Sequence, residues 1–580
     1  MSNMDNNCYI KDLPDEIISK ILVNNSPQEI FNFSATCKQF YEVVSTNGYL
    51  WKMKYCELAP VCMLNIVKKH YDCKWKEAFS QFCIIKNKIH AEVLLMSPKF
   101  YWRYNPVSLE DAWPFFLIAT EDKLSYFYTI FILRDIIKKT NIFLDKLTCS
   151  KPLYTMTTKY YSNIVLRHLM QCYLAIKWVQ LRNRNELTPE KVIMIFLQWI
   201  DPTEMYEFED LENAIQNLTK KVENILKDSS KNQNVATSSI RSERRVLHAI
   251  SEAIYKREDF SIDYNVQISS IDIVKVIKNS RGSVFTLGAI YHTIAQRFSI
   301  DCELKAFPNH FFLNWRDKES PQNTLYTIDL TNGELKKARQ CPFGGADDAK
   351  SIVYCPNSFL QYIYNSYMES NSRIRRCQTK NAVYFMEFLG VSESSYNPYR
   401  NFFSYLLEIH YTDSMQISIN LKYMDKCHHR LFMSLLKLNQ PALDAYQESE
   451  VKKNRNTALP IYPVGILCYH KVYHYTCIIR DWEPNGNRVQ QRLEPTLKFG
   501  KNQPFYRVLA GDQSERFTPH ENLILDDAPT RHHLLEDALA KDFSHFDGFY
   551  YVPNDEKQLQ YPSDVAIAEM YKARSMRNVD

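Results

Sequence analysis

Cysteine is the residue type in this chain best suited to covalent or metal chemistry, and its spacing argues against two common uses. The 580 residues include 15 cysteines, an odd number, and no two of them are spaced as Cys-x-x-Cys. A disulfide framework and a zinc ribbon both need paired, regularly spaced cysteines. We therefore expect reduced thiols, as in a protein of the cytoplasm or nucleus, with no metal and no cofactor.

Composition places the chain among ordinary globular proteins. It is 45% hydrophobic and 24% charged, and its length predicts about three to four domains. Only 12 glycines disfavour a glycine-rich nucleotide-binding architecture, and a net charge of +5 implies neither nucleic acid nor membrane. Residues 1–7 are polar and predict no signal peptide, while the apolar stretches 114–120 and 126–133 are too short to span a bilayer. We expect a soluble intracellular protein.

The stretch from Leu13 to Trp51 has the strongest local pattern, that of three short helices. Pro14 stands where a first helical turn begins, and Ser26 followed by Glu29 is a capping-box signature. Apolar residues recur between these signals at helical spacing. About forty residues are too few to bury a core alone, so the apolar faces are expected to need a partner surface.

Four ordered motifs occupy this stretch: Leu13-Pro14-Asp15-Glu16-Ile17, Ile21-Leu22, Cys37-Lys38-Gln39-Phe40 and Leu50-Trp51. They resemble the F-box family, which implies an F-box at 9–58 that docks on the Skp adaptor of a cullin–RING ubiquitin ligase. The alternative is an ordinary three-helix cap packed on its own chain. The adaptor-binding residues that the resemblance implies are Leu13, Pro14, Ile17, Ile21, Leu22, Ile30, Cys37, Phe40, Leu50 and Trp51.

Residues 59–227 show helical periodicity and many aromatic side chains. A ligand pocket is one interpretation, but aromatic stripes at helical spacing are usually core. We therefore expect a helical scaffold that fixes the distance between the N-terminal and C-terminal modules. The polar, aperiodic stretch 228–240 is predicted to be a linker.

The next module combines a strongly periodic helix after Ser283, a strand led by His310 and a strand that ends in Asp329. This order resembles the transglutaminase-like fold and implies such a domain at 241–355. In a working transglutaminase, a cysteine at the helix N-terminus is the nucleophile, a histidine activates it and an aspartate orients the imidazole.

The resemblance assigns these catalytic positions to Thr286, His310 and Asp329, so the cysteine is replaced. A threonine hydroxyl has no useful ionised population without a general base, and Cys302 follows the helix instead of starting it. We expect a non-catalytic domain in which His310 and Asp329 keep a structural hydrogen bond. Hydrolase or acyl-transfer chemistry through Thr286 or Cys302 is the alternative.

After a predicted helical segment at 356–450, the period changes to that of short strands, which suggests a small β-barrel at 455–560 and a C-terminal tail at 561–580. The motifs around Gly465, His470 and Pro519 resemble the YccV-like hemimethylated-DNA-binding family. Residues 461–552 carry 10 Lys and Arg against 12 Asp and Glu, a net charge of −2. Because DNA binding depends on neutralising phosphates, DNA is an unlikely partner and protein recognition fits better. The candidate groove consists of Tyr469, Tyr475, Trp482, Phe505 and Tyr506.

The fold class expected is α+β and multidomain: F-box, helical scaffold, transglutaminase-like domain, helical segment and YccV-like barrel. Over nearly its full length the chain resembles the F-box only protein 21 family. That resemblance implies a non-catalytic substrate receptor of a Skp–cullin–F-box ligase, acting on an unknown protein. The two alternatives are a transglutaminase-like enzyme and a DNA-binding module.

Overall fold

The structure is a computed structural model. It describes residues 10–59, 73–103, 107–122, 124–145, 152–204, 206, 208–231, 243–307, 310–318, 324–337, 355–371, 462–486, 497–526 and 528–577, with isolated residues 63, 64, 67, 68, 378, 381, 382, 385 and 453. Among these residues, none of the helices is both long and apolar enough to cross a membrane.

The N-terminal unit consists of four helices: α1 (Asp15–Val23), α2 (Pro27–Ser34), α3 (Lys38–Thr46) and α4 (Gly48–Leu58). Ser26 and Glu29 form the capping box that the sequence predicts, which fixes the start of α2. Asn47 caps α4 by accepting the Leu50 N–H at 2.8 Å. The helix starts are therefore set locally by side chains that satisfy otherwise unpaired backbone N–H groups.

Four longer helices follow: α5 (Trp75–Phe100), α6 (Trp113–Ala119), α7 (Ser125–Asp145) and α8 (Met156–Asn183). Helix α5 packs against α4, with the rings of Trp51 and Phe79 5.2 Å apart. Tyr55 adds a buried hydroxyl contact of 3.2 Å to Tyr128 on α7. The partner surface that the small N-terminal unit was expected to need is therefore supplied on one side by its own chain.

The central part contains helices α9 (Pro189–Ile200), α10 (Phe208–Lys231), α11 (Glu243–Ser251), α12 (Ile268–Ile271), α13 (Ile273–Asn279), α14 (Val284–Arg297) and α15 (Pro356–Asn371). A one-turn π-helix, Glu252–Arg257, continues α11. Helix α10 extends to Lys231, four residues into the predicted 228–240 linker, whose remainder lies outside the described residues. Beyond α15, most of the predicted 356–450 helical segment also lies outside them.

Two sheets accompany these helices. Strands β1 (Ser261–Ile262) and β2 (Arg281–Gly282) form a short parallel pair. Strands β3 (Cys302–Phe307), β4 (His310–Arg316), β5 (Leu325–Ile328) and β6 (Leu335–Lys337) form an antiparallel sheet in sequence order. Helix α14 packs closely on β4 because Gly288 has no side chain, and a Cβ there would clash with the Phe311 ring.

The C-terminal module contains strands β7 (Leu467–His470), β8 (Tyr475–Glu483), β9 (Phe505–Ala510), β10 (Glu515–Pro519) and β11 (Leu523–Leu525), and then β12 (Phe543–Phe546) and β13 (Tyr551–Pro553). The first five form an antiparallel sheet in the order β10-β9-β8-β7-β11. A register shift in β8 between Ile479 and Asp481 gives the irregularity that bends a strand. The expected α+β architecture is confirmed.

Short helices α16 (Glu536–Leu539) and α17 (Asp555–Gln560) and a longer α18 (Asp564–Arg577) complete the module. The stretch predicted as a tail is thus largely helical, and it packs on the strands of this module, which is called the barrel below after its predicted fold. The Asp564 carboxylate accepts hydrogen bonds from the Val464 N–H at 2.9 Å and the Trp482 indole N–H at 3.0 Å.

The chain divides into two compact units, residues 1–165 with 419–580 and residues 166–418. The predicted scaffold at 59–227 is therefore not one body, because its N-terminal part belongs to the unit of the barrel and its C-terminal part to the transglutaminase-like unit. Sequence periodicity shows that a helix is amphipathic but not which element covers it, so this division was not visible in the sequence.

The unit that joins the two chain termini has a shared interior. Leu144 and Met156 lie in one buried cluster with Leu539 and Phe543. Ser97, near the end of α5, donates a 2.6 Å hydrogen bond to Glu556 on α17. The N-terminal helices and the barrel therefore pack directly on each other.

Candidate adaptor-binding face and transglutaminase-like cleft

Helix α1 has two apolar faces, and only one of them is buried. Ile18 and Leu22 are 1% and 3% exposed, whereas Ile17 and Ile21 are 41% and 44% exposed. Residues four apart lie on the same side of a helix, so Ile17 and Ile21 form one outward stripe. Pro14 and Cys37 are also exposed and Leu13 is half-buried. This outward stripe with Leu13 and Pro14, here called the α1 face, offers apolar surface to a partner.

The other predicted adaptor residues are in the core of the small unit. Trp51, for example, is 1% exposed and donates from its indole N–H to the Val44 carbonyl at 2.7 Å. Such side chains stabilise the helices that carry the α1 face and do not themselves offer a surface. The five residues placed in this way are Leu22, Ile30, Phe40, Leu50 and Trp51.

In the transglutaminase-like unit, Thr286 is fully buried. It is the third residue of α14, whose N-cap Ser283 accepts the Thr286 N–H. The two hydroxyl oxygens of Ser283 and Thr286 lie 2.7 Å apart. Thr286 therefore helps to fix the helix start, and its hydroxyl is inaccessible to a substrate.

Asp329 follows β5 and is engaged locally. Its carboxylate accepts the Thr331 N–H at 2.9 Å and forms an ion pair with Lys336. Partial burial acts to raise the pKa of Asp329, but the hydrogen bonds from Lys336 and Thr331 outweigh it and hold that pKa below its usual value. The side chain is thus an ionised carboxylate whose described partners are Lys336 and Thr331.

His310 is the first residue of β4, where its backbone pairs with Phe307. Its side chain lies outside the described residues, and so does the predicted hydrogen bond to Asp329. Cys302 starts β3 and is 3% exposed. Burial raises the pKa of its thiol far above the usual value, which removes the thiolate that nucleophilic attack needs.

A cleft of about 260 Å³ lies between the start of α14 and strands β4 to β6. Its walls are mainly apolar, and both residues of the Asp329–Lys336 ion pair line it. The lining residues are Ile262, Val284, Phe311, Phe312, Leu313, Thr327, Ile328, Asp329, Leu330, Thr331 and Lys336. The described lining contains neither Thr286 nor Cys302, the two residues considered as nucleophiles from the sequence.

The five predicted groove residues separate into two groups in the barrel. Trp482, Phe505 and Tyr506 are 3%, 2% and 0% exposed and belong to the core. Tyr469 and Tyr475 are half-exposed near the β7–β8 hairpin. Strand alternation explains the two groups, since an aromatic residue in a half-buried sheet faces the core or the solvent according to register.

Three family models match the chain, each over one of these regions. The F-box-like model matches residues 10–57, the transglutaminase-like superfamily model residues 209–344, and the model described as hemimethylated DNA-binding protein YccV like residues 460–550. Among curated proteins, F-box only protein 21 of Mus musculus is 22% identical over 98% of this chain and 95% of its own length. The proteins of the same name from Pongo abelii and Homo sapiens are 21% and 22% identical over the same shares.

The chain is similar to F-box only protein 21 over almost its whole length. The resemblance that the sequence motifs carry is thereby confirmed, with all three domain types in the expected order. No solved structure matches the chain significantly. The α1 face belongs to the matched F-box-like region, whereas the described cleft belongs to the matched transglutaminase-like region.

Sequence reasoning missed several exposed apolar residues of the F-box-like unit. Phe31, Tyr41 and Tyr49 are 40%, 57% and 59% exposed. Phe31 and Tyr41 each directly follow a buried apolar residue, and Tyr49 directly precedes one. The signal that would find them is a helix with more apolar residues than a single buried stripe can accommodate.

An exposed thiol was also missed. Cys355 directly precedes α15, and Arg182 lies near enough to act on its charge. Partial burial acts to raise the pKa of Cys355, but hydrogen bonds with Ser358 and backbone N–H groups outweigh it, so that pKa is lowered. Cys-Pro-Asn-Ser at 355–358 is a recognisable helix start, with proline at the first helical position.

Proposed function

We propose that this F-box protein is the substrate-recognition subunit of a Skp–cullin–F-box ubiquitin ligase, which directs target proteins to ubiquitination and proteasomal degradation. The observation that carries the proposal is the α1 face. Ile17 and Ile21 stay exposed although the same helix buries Ile18 and Leu22 against the rest of the chain. Exposed apolar side chains in a row on one helix are typical of a protein-binding surface.

The role proposed is non-catalytic, in the cytoplasm or nucleus. The thiol that transfers ubiquitin belongs to a conjugating enzyme of the complex, and this chain contributes proximity and orientation. Burial of both Thr286 and Cys302 supports this assignment over an acyl-transfer enzyme. The transglutaminase-like unit then serves as a receptor or scaffold module.

Helix α5 supports a defined geometry for the receptor. Near its first residue it packs on the F-box-like unit through Phe79, and near its last turn Ser97 bonds to Glu556 beside the barrel. Its 26 residues span about 39 Å at 1.5 Å per residue. Its internal proline, Pro98, lies in the last turn, so the hydrogen-bond ladder before it is uninterrupted by proline. We infer that this helix holds a target on the barrel at a set distance from the adaptor.

Co-purification with the Skp adaptor tests the proposal. The double substitution Ile17→Ser and Ile21→Ser removes apolar surface from the α1 face and leaves the buried face unchanged. The matched control is Leu94→Ser with Leu95→Ser, two residues of α5 that are 42% and 56% exposed. We expect wild type and control to co-elute with the adaptor and the α1-face variant to elute alone, with unchanged circular dichroism. Equal co-elution of both variants, or failure of the wild type, would contradict the proposal.

A second experiment separates adaptor binding from target binding. Wild type and the α1-face variant are purified from cells in which cullin activity is blocked, and their partners are quantified by mass spectrometry. We expect the adaptor and cullin to be lost from the variant while target proteins remain on both. Loss of targets together with the adaptor would mean that the chain does not recognise targets by itself.

A further inference from the structure

The hairpin between β7 and β8 presents large side chains to solvent. Val472 and Tyr473 at its tip are 57% and 72% exposed. A turn between two strands is usually built from small or polar residues. Only part of the Tyr473 ring surface contacts the His470 imidazole, with ring centroids 5.0 Å apart, and most of it is left to solvent. Tyrosine is among the residues enriched at binding hot spots.

Hydrogen bonds bring further residues to this tip. The Lys471 ammonium donates to the Glu521 carbonyl at 2.9 Å. The Glu521 carboxylate in turn accepts the backbone N–H groups of Lys498 at 3.0 Å and Phe499 at 2.8 Å. Phe499 is 62% exposed. Ile524, which is 41% exposed, lies three residues after Glu521 and opposite Tyr469 in the β7–β11 register. The resulting hairpin patch consists of Lys471, Val472, Tyr473, Lys498, Phe499 and Ile524.

The tip of the patch is held in one conformation. Nδ1 of His470 accepts the N–H groups of Val472 at 3.2 Å and Tyr473 at 3.1 Å. The imidazole is stacked on Tyr475, with ring centroids 4.8 Å apart. His474 closes the turn with a φ of 53°, a left-handed conformation. A tip fixed in this way loses little conformational entropy when a partner binds.

The charge of the patch is positive. Its two charged side chains are the Lys471 and Lys498 ammonium groups, and the neighbouring Glu521 carboxylate is occupied by two backbone N–H groups. The surrounding stretch 461–552 has the opposite sign, with a net charge of −2. A partner that is acidic and carries apolar side chains complements both properties, whereas duplex DNA would meet few cations on a module of negative net charge.

We propose that the hairpin patch docks a peptide segment of the ubiquitination target, one in which acidic side chains flank an aromatic or aliphatic residue. This inference rests on the receptor function proposed above and names the chemical class of its target. The apolar residue of the segment packs against Val472, Tyr473 and Phe499. Its carboxylates pair with Lys471 and Lys498.

Selection from a random 12-residue peptide display library tests the proposal on the full chain bound to the Skp adaptor. The baits are wild type, the double variant Tyr473→Ser with Lys471→Glu, and the control Tyr264→Ser, which changes the tyrosine that is 83% exposed in the other unit. We expect an acidic, aromatic-containing consensus on wild type and control. Fluorescence anisotropy of a consensus peptide should show binding at least about tenfold weaker to the double variant.

Three results would overturn the proposal: no enriched consensus, a consensus without acidic residues, or equal peptide binding by the double variant. A duplex DNA that competes for the same site with equal affinity would also contradict it, because a nucleic acid would then be the occupant. Peptide selection on the Ile17→Ser, Ile21→Ser variant without adaptor keeps the two proposals separate. Loss of adaptor binding with retained peptide binding supports both sites as separate surfaces. Loss of adaptor binding without any enriched peptide leaves the adaptor site standing and overturns the patch.

Discussion

The F-box-like unit and the transglutaminase-like unit each contain a helix that the sequence marks as functional, and the two helices differ in what they expose. Helix α1 leaves Ile17 41% exposed, whereas α14 buries Thr286 completely. A docking surface needs apolar area open to a partner, and a nucleophile needs access to its substrate. The comparison shows that a family motif is useful for binding or catalysis only where its side chains are accessible. The first helix has exposed apolar side chains, whereas the second has a threonine fixed in the core.

Removing the α1 face should have the largest effect on function. Two exposed apolar residues at the centre of an interface can each be worth about 1.4 kcal/mol or more, so Ile17→Ser with Ile21→Ser should weaken adaptor binding about 100-fold or more. Isothermal titration with purified adaptor measures the change. A loss of less than about threefold would place the docking surface elsewhere on the unit.

Substitutions on the buried side of the same unit should lower its stability instead. Trp51 is buried against Phe79, so Trp51→Ala should leave a cavity and cost about 3–5 kcal/mol. Thermal unfolding followed by circular dichroism measures this cost, with Tyr49→Ala as control because Tyr49 is 59% exposed. If Trp51→Ala folded normally and lost only adaptor affinity, Trp51 would be a contact residue after all.

Thiol labelling extends the comparison to cysteines of the transglutaminase-like unit. Cys355 is exposed and the pKa of its thiol is lowered, whereas burial raises the pKa of Cys302. Iodoacetamide at neutral pH should therefore modify Cys355 well before Cys302, as measured by peptide mapping. Rapid modification of Cys302 that is lost in His310→Ala would instead reveal an active nucleophile and favour the enzyme alternative.

The sequence was most informative where local physics decides the outcome. Ser26 and Glu29 form their capping box, and the strand after His310 is present, because caps and strand periods depend on neighbouring residues. It was less informative about which side of an element is covered. Trp51 and Trp482 are both buried, although a motif placed the first at an adaptor and aromatic content placed the second in a groove. Tertiary packing decides such positions, as it does the direct contact between the N-terminal helices and the barrel.

Removing the Thr286 hydroxyl should lower stability slightly and leave binding unchanged. Thr286→Val keeps the shape of the side chain but removes its 2.7 Å contact with the Ser283 hydroxyl, so we expect a cost of about 1 kcal/mol. Unfolding by urea measures this cost, and adaptor and target binding should be unchanged. A variant of normal stability that loses a hydrolytic or acyl-transfer activity would show that the hydroxyl is functional.

The smallest effect expected is a pH dependence at the hairpin patch. This patch is an exposed surface of the barrel, as the α1 face is of the F-box-like unit. Burial lowers the pKa of His470, and nearby Arg516 and His474 lower it further. The neutral imidazole is thus favoured in the folded protein. Its contribution to stability is therefore present above pH 6.5, the ordinary pKa of histidine, and decreases as the pH falls through 6.5 towards the lower folded pKa.

Protonation of His470 also removes Nδ1 as the acceptor for the Val472 and Tyr473 N–H groups. After correction for the intrinsic hydrogen-exchange rate, which itself slows in acid, the protection of peptide 468–476 should therefore decrease as the pH is lowered from 7.5 to 5.5. His470→Gln should reduce this loss of protection because its amide does not titrate. An equal change of protection in wild type and variant would mean that the tip is held by contacts other than His470, and that the patch keeps its shape in acid.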